Sequence, residues 1–334
     1  MLERSYVDRN TVHHLQAFKP NSKVAGYTVL KELGRGAASI IYLVQDAKTK
    51  QIWALKHVAK QSPKDQRFLD QTETEYAIGS QIKDSRVRRC VRLIKNRKLL
   101  TVREMYLIME YVDGVSVERA RPTDLRSALQ ISSQVAAGLA AMHDLGYVHA
   151  DMKPNNVVVL DDGKVKIIDL GQSCAVGAVK PRIQGTPDYI APEQVHRQPI
   201  TPQTDVYNLG ATMYWVLTGN NIPTALPKDD RLVGSLDAGF IELPPPPSEI
   251  NPDVPNRLDY LVMRCVEPEV ERRPVDMHAV VDSLASIVAE LEAQDDAAAD
   301  DIDDDEDGGG APTPSISPET SSKPTVTDAK ADEA

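Results

Sequence analysis

The chain has little that would mark it for the cell exterior or for a membrane. Its three cysteines, Cys90, Cys174 and Cys265, are odd in number, lie far apart and include no C-x-x-C pair. That pattern argues against a disulfide scaffold or a zinc framework and sets the expectation of reduced thiols in a cytoplasmic protein. No apolar run approaches the ~18 residues of a membrane span. The charged start Met1-Leu2-Glu3-Arg4-Ser5 lacks the apolar core of a signal peptide. Basic excess is missing too. The formal net charge is −11, and residues 294–334, with thirteen Asp/Glu and two Lys, supply all of it, so residues 1–293 are neutral overall. No basic stripe exists for a nucleic acid to follow, and no nucleic-acid partner is expected.

What is present is ordinary for a soluble globular protein: 334 residues, 41% hydrophobic and 26% charged, enough to bury a core in two lobes. Residues 1–24 are polar and aperiodic and read as an N-terminal extension. Strand-like runs follow at Tyr27–Leu30, Ile40–Val44, Gln51–Val58, Val91–Ile94 and Tyr106–Tyr111. Between the first two lies the small-residue turn Gly34-Arg35-Gly36-Ala37-Ala38-Ser39. A helix is expected from Ser62-Pro63-Lys64-Asp65, with Ser62 as N-cap and Pro63 in the first turn, carrying Phe68, Leu69, Glu73, Glu75, Ile78 and Ile82. Past Gly114 the texture turns helical, first at Thr123–Leu145, where Leu125, Leu129, Val135, Leu139 and Met142 recur near the helical period and Gly146 stops the run.

Just beyond that helix stands His149-Ala150-Asp151-Met152-Lys153-Pro154-Asn155-Asn156. A carboxylate, a lysine two residues on and an amide three residues later are the groups phosphoryl transfer to a hydroxyl needs. This stretch resembles H-R-D-L-K-P-x-N, the catalytic loop of the eukaryotic-type (Hanks-type) Ser/Thr protein kinases. Asp169-Leu170-Gly171 resembles D-F-G, and Trp53-Ala54-Leu55-Lys56 resembles V-A-I-K. Gly185-Thr186-Pro187-Asp188-Tyr189-Ile190-Ala191-Pro192-Glu193 matches G-T-P-x-Y-x-A-P-E, a pattern far less expected by chance than a glycine turn. The motifs stand in family order from about Tyr27 to Glu292, with a texture most like bacterial members.

The resemblance implies an α+β, bilobal fold: a β-rich N-lobe at 25–113 with one helix and a mainly helical C-lobe at 114–293, while the composition of 294–334, with almost nothing to bury, reads as a disordered acidic tail. It implies ATP and Mg²⁺ as cofactors, and protein substrates with Ser/Thr acceptors, autophosphorylation included. Asp151 would orient the acceptor hydroxyl and Lys153 steady the transferred group. Lys56 would hold the α/β-phosphates and pair with Glu75, Glu73 being the alternative partner. Asn156 and Asp169 would bind the metal. Leu33, Gly34, Gly36, Ser39, Ile41, Ala54, Met109, Glu110, Val112 and Val158 would line the nucleotide site, with Met109 as gatekeeper and Glu110 and Val112 at the adenine edge. Asp205 would anchor the catalytic-loop backbone, and Arg273 would pair with Glu193.

Several residues depart from the pattern. Ala150 replaces the usual arginine, Ser39 the third loop glycine, and Gly79 a larger apolar residue expected against Leu170. Ala150 removes one partner of an activation-segment phosphate, so activity independent of that phosphate is expected. The main alternative to an active enzyme is a pseudokinase or scaffold of the same fold, disfavoured because Lys56, Asp151 and Asp169 are all present. A small-molecule kinase is disfavoured by the G-T-P-x-Y-x-A-P-E platform. Pro244-Pro245-Pro246-Pro247 reads as a surface connection. Asp303–Gly308 fits half of an EF-hand loop but lacks its closing glutamate, so no calcium site is expected.

Overall fold

We describe the protein from a computed structural model, which covers residues 15–36, 38–226 and 242–304, with side chains as far as 295. The chain divides into two units, Met1–Ala289 and Glu290–Ala334.

The first unit opens on an antiparallel six-stranded sheet. It comprises β1 (Lys23–Val24), β2 (Tyr27–Arg35), β3 (Ser39–Asp46), β4 (Ile52–Ala59), β5 (Cys90–Lys98) and β6 (Thr101–Met109). They are ordered β1-β2-β3-β4-β6-β5. The β-branched and aromatic alternation of β2 to β4 sends Val29, Ile40, Tyr42, Val44 and Leu55 into one face. On that face the N-terminal segment does more than precede the lobe: Leu15, Ala17 and Phe18 pack against the same cluster. Phe18 stacks on His57, which stacks on Tyr106, with centroids 4.8 and 4.9 Å apart. Residues 15–24 therefore belong to the lobe, not to a separate extension; residues 1–14 lie outside the described residues.

The other face carries Lys56 and the one α-helix of this lobe among the described residues. A 3-10 turn at Pro63–Asp65, capped by a Ser62/Asp65 box, leads into α1 (Gln66–Gly79). The expected carry-through to Ile82 is corrected here. The helix stops at Gly79, about 1 kcal/mol poorer than alanine in a helix, and Ile82 lies in the connection beyond, still buried.

After Met109 the chain leaves the sheet through β7 (Val115–Ser116), and Gly114 passes so close to the next layer that a Cβ there would collide with the Val159 carbonyl oxygen. The long helix α2 (Leu125–Asp144) begins at Asp124, whose carboxylate accepts the Ser127 N–H at 2.7 Å, and ends before Gly146. Short strands β8 (Tyr147–Val148), β9 (Val157–Val159), β10 (Val165–Ile167) and β11 (Cys174–Ala175) form two small sheets, β10-β9-β7 and β11-β8. Helices α3 (Pro192–Val195), α4 (Pro202–Thr218), α5 (Pro247–Ile250), α6 (Asn256–Cys265) and α7 (Met277–Asp304) complete the described residues. Two of the four prolines in 244–247, Pro244 and Pro247, are buried, so that loop is partly built into the lobe. Helix α7 runs on past 293 to Asp304, which corrects the expectation of a tail disordered from 294. The stretch 294–304 has no Gly or Pro, and its alanines favour a helix although its aspartates do not. Residues 305–334, and with them all of the EF-hand-like run but Asp303 and Asp304, lie outside the described residues. The α+β organisation, a sheet-rich lobe followed by a mainly helical one, is as the motif order implies.

Candidate active site

Strand β4 aims Lys56 at helix α1. Its ammonium donates to Glu75 Oε2 at 2.7 Å and lies 3.9 Å from Asp169 Oδ1. Glu73, the alternative, instead pairs with Lys95 on the surface at 2.9 Å. Burial acts against the Lys56 charge, but Glu75 and Asp169 outweigh it and raise its pKa.

Glu75 is fully buried and has a second cation beside it. The Arg88 guanidinium lies 3.5 Å from its other oxygen and is itself almost fully buried. Arg88 is fixed by its backbone: its N–H donates to the Ile167 carbonyl at 2.9 Å, and Val87 bridges Ile167 in parallel. This is the strand that delivers Asp169. The sequence reading missed Arg88 because arginines in a short polar connector are ordinarily solvated.

Asp169 sits in the left-handed region (φ 63°, ψ 74°), with Gly171 N–H on its carboxylate at 3.3 Å. Its side chain is half exposed. Burial of the group raises its pKa, yet the charges of Lys56, Arg88 and His149, with the Gly171 N–H, hold it below the ordinary carboxylate value. Asn156 donates its amide N–H to the Asp151 carbonyl at 2.8 Å, which leaves the amide oxygen for another partner. An amide oxygen and a half-exposed, ionised carboxylate fit a magnesium ion, which takes few protein ligands and keeps its waters.

The catalytic-loop residues form a closed set. Asp151 accepts from Thr186 Oγ1 at 2.8 Å and from Lys153 Nζ at 3.0 Å, and Lys153 also reaches Thr186 Oγ1 at 2.7 Å. The loop is hung from α4. Asp205, completely buried, accepts the His149 and Ala150 N–H groups at 2.8 Å each and faces His143 at 2.9 Å. Burial raises its pKa, but His143 and the other donors hold it down. Ala150 takes a left-handed φ of 60°, and Gln194, a contact absent from the sequence reading, donates to its carbonyl at 2.8 Å. Arg273 grips Glu193 with two hydrogen bonds of 2.8 and 2.9 Å.

The other residues expected at the nucleotide site lie on β2 to β4, β6 and β9, in the turn after β2 and in the connection after β6. Gly36 N–H closes the turn onto the Ser39 carbonyl at 2.9 Å; Ala37 lies outside the described residues. Ile41 pairs with Lys56, and Ala54 with Met109. Ala54, Met109 and Val158 are buried, Leu33 and Gly36 exposed, and Gly34 and Val112 half-buried. Glu110 donates its N–H to Arg89 and pairs with Lys166 at 2.7 Å.

A sheet lobe, a lysine–glutamate pair beneath it and an Asp–Lys–Thr set hung from a buried aspartate match one known arrangement. The family model for the protein kinase domain matches residues 27–284. The chain belongs to the protein kinase family. Similar curated proteins are bacterial serine/threonine-protein kinases. PknL of Mycobacterium tuberculosis is 31% identical over 80% of this chain and 65% of its own length. Pkn1 of Myxococcus xanthus is 30% identical over 80% of the chain and 39% of its own length. A probable serine/threonine-protein kinase of Clostridium acetobutylicum is 25% identical over 78% of the chain and 40% of its own length. The chain thus spans between two fifths and two thirds of these relatives. Among the described residues no helix is long and apolar enough to cross a membrane.

Proposed function

We propose that the chain is an ATP-dependent protein serine/threonine kinase whose catalytic unit lies within residues 15–293. The observation that supports this most is Asp151. Thr186 and Lys153 hold its two carboxylate oxygens at 2.8 and 3.0 Å, ready to orient an acceptor hydroxyl, on a loop fixed by Asp205. In this reading the adenine lies between Ile41, Ala54 and Val158, under Met109, with Glu110 and Val112 at its edge and the Leu33–Ser39 turn over the phosphates. Lys56 holds the α/β-phosphates, and Glu75 keeps Lys56 extended. Asp151 accepts the hydroxyl proton as the oxygen attacks the γ-phosphorus, the bond from that phosphorus to the β,γ-bridging oxygen breaks and ADP leaves, while Lys153 balances charge on the transferred group. A magnesium ion held by Asn156 and Asp169 would supply neutralisation of phosphate charge. Three unpaired, buried thiols support a cytoplasmic location.

The test is incubation of the purified chain with γ-labelled ATP, magnesium and a generic basic protein, followed by identification of the labelled amino acids. Label on serine or threonine of the substrate, or of the chain itself, is expected. Nucleotide binding without any transfer would overturn the reading in favour of a scaffold.

A further inference from the structure

The β5–β6 hairpin outruns the rest of its sheet. The last β4–β6 pairing is Ala59 with Glu104, and the last backbone link is Lys60 N–H to the Arg103 carbonyl at 2.8 Å. Arg97 to Val102 continue as a two-stranded finger, with Arg97 opposite Val102 and Lys98 opposite Thr101. Its tip is Leu99-Leu100, and each leucine is 94% exposed. Two adjacent leucines left in water at the end of a projection are unlike single scattered surface apolars.

The charge around the tip is of one sign. The two strands carry Arg92, Lys95, Arg97, Lys98 and Arg103, and their only acid is Glu104, already engaged with Asn96 and the Tyr106 hydroxyl. Lys95 pairs with Glu73; the four arginine and lysine side chains that remain make no ion pair among the described residues. The finger is convex and only six residues long. Such a tip offers far less than the ~1,000 Å² that a stable protein interface needs, and a second copy would bring the same cations against it. A bilayer needs no shaped complement. It accepts leucines at its acyl boundary and gathers lysine and arginine at an anionic headgroup surface. We propose that the Arg97–Val102 finger docks the protein reversibly on an anionic lipid bilayer, with Leu99 and Leu100 inserted and the flanking cations on the headgroups. The net charge of −11 does not oppose this strongly, because 294–334 carries it and charge is screened beyond ~8 Å at physiological salt.

The test uses the full chain with vesicles of phosphatidylcholine alone, or mixed with phosphatidylglycerol, in co-sedimentation. Binding to the mixed vesicles and not to phosphatidylcholine is expected. Leu99→Ser/Leu100→Ser and Arg97→Gln/Lys98→Gln should each weaken it about tenfold or more, and the leucine variant should keep its melting temperature and phosphotransfer in solution. A Leu99→Cys chain labelled with a polarity-sensitive dye should shift its emission to the blue on the mixed vesicles, the native thiols being buried. No binding to either vesicle would overturn the proposal. So would salt-sensitive binding indifferent to the leucines, or a concentration-dependent dimer abolished by the leucine variant without lipid binding.

Discussion

Glu75 has no exposed surface and two cations beside it, Lys56 at 2.7 Å and Arg88 at 3.5 Å. Removing one partner of a buried ion set leaves the rest uncompensated, at a cost of several kcal/mol when the geometry is tight. Arg88→Met should therefore destabilise the protein by about 2 kcal/mol in denaturant unfolding. Combined with Glu75→Gln it should fall short of additivity by more than ~0.5 kcal/mol; strict additivity would show that the two side chains do not interact. Gly79 answers a question the sequence left open. A Cβ there would meet Cys90 Sγ at 2.6 Å and Leu170 Cδ1 at 3.0 Å, so Cys90 fills the space a larger residue was expected to take. Burial pushes the Cys90 thiol up to about 12, so it is an inert filler. Gly79→Ala should destabilise the lobe although alanine gains ~1 kcal/mol in helix propensity, and Cys90→Ala in the same chain should recover part of the loss. His57 behaves differently with pH. Burial lowers its pKa below the ordinary 6.5, with Glu104 opposing in part. The unfolded chain then binds the proton more readily, so this stability is full above 6.5 and is lost as pH falls below it. The melting temperature of the wild type should drop more between about pH 8 and about pH 5 than that of His57→Phe; equal drops would rule out His57 as the source.

At the scale of elements, the activation segment is tied down without a phosphate. Strand β11 pairs with β8, the Gly177 N–H donates to Ile200 at 2.7 Å, and the Ile200 N–H donates to Ala178 at 2.9 Å. Ala150, at the position where the motif resemblance implied arginine, joins Val148, Cys174 and Ile200 in a buried apolar cluster. Ser173 is buried, and the Thr186 hydroxyl is shared between Asp151 and Lys153. Neither is free to take a phosphate in this arrangement. Treatment with phosphatase, followed by its removal, should leave the initial rate within a few-fold. A fall of tenfold, ~1.4 kcal/mol in barrier, restored by autophosphorylation of Ser173 or Thr186, would refute this. The sequence foresaw the missing cation at Ala150 but not what replaces it. Val148, Cys174 and Ile200 meet only through the folded loop, and no local pattern links them. Motif residues were legible because each sits at a fixed offset within one short segment. Arg88, Gln194 and Cys90 were not, because their roles come from partners far away in the chain.

Over the whole molecule, the order of sheet lobe and helical lobe could be read from the succession of period-two and helical runs. The cover of the sheet by Leu15, Ala17 and Phe18 could not, because a short aperiodic segment carries no signal of where it packs. Nor could the length of α7, whose acidic, alanine-rich end has a composition shared by disordered tails. Among the described side chains, which end at 295, the last buried one of α7 is Ile287, so a chain cut after Ala293 should melt within ~1 °C of the full chain, a loss of exposed residues alone being worth under about half a kcal/mol. A large drop would mean that the acidic segment packs on the catalytic unit.

In the proposed mechanism Asp151 orients the acceptor within an otherwise complete nucleotide site. The most direct test of that role pairs two measurements on Asp151→Asn: Mg·ATP affinity by calorimetry and the rate of phosphate transfer to a protein substrate. Affinity should stay within about threefold of wild type, while kcat falls on the order of 10²–10⁴-fold, the span a positioned general base contributes. Transfer at near wild-type rate with binding intact would contradict the account.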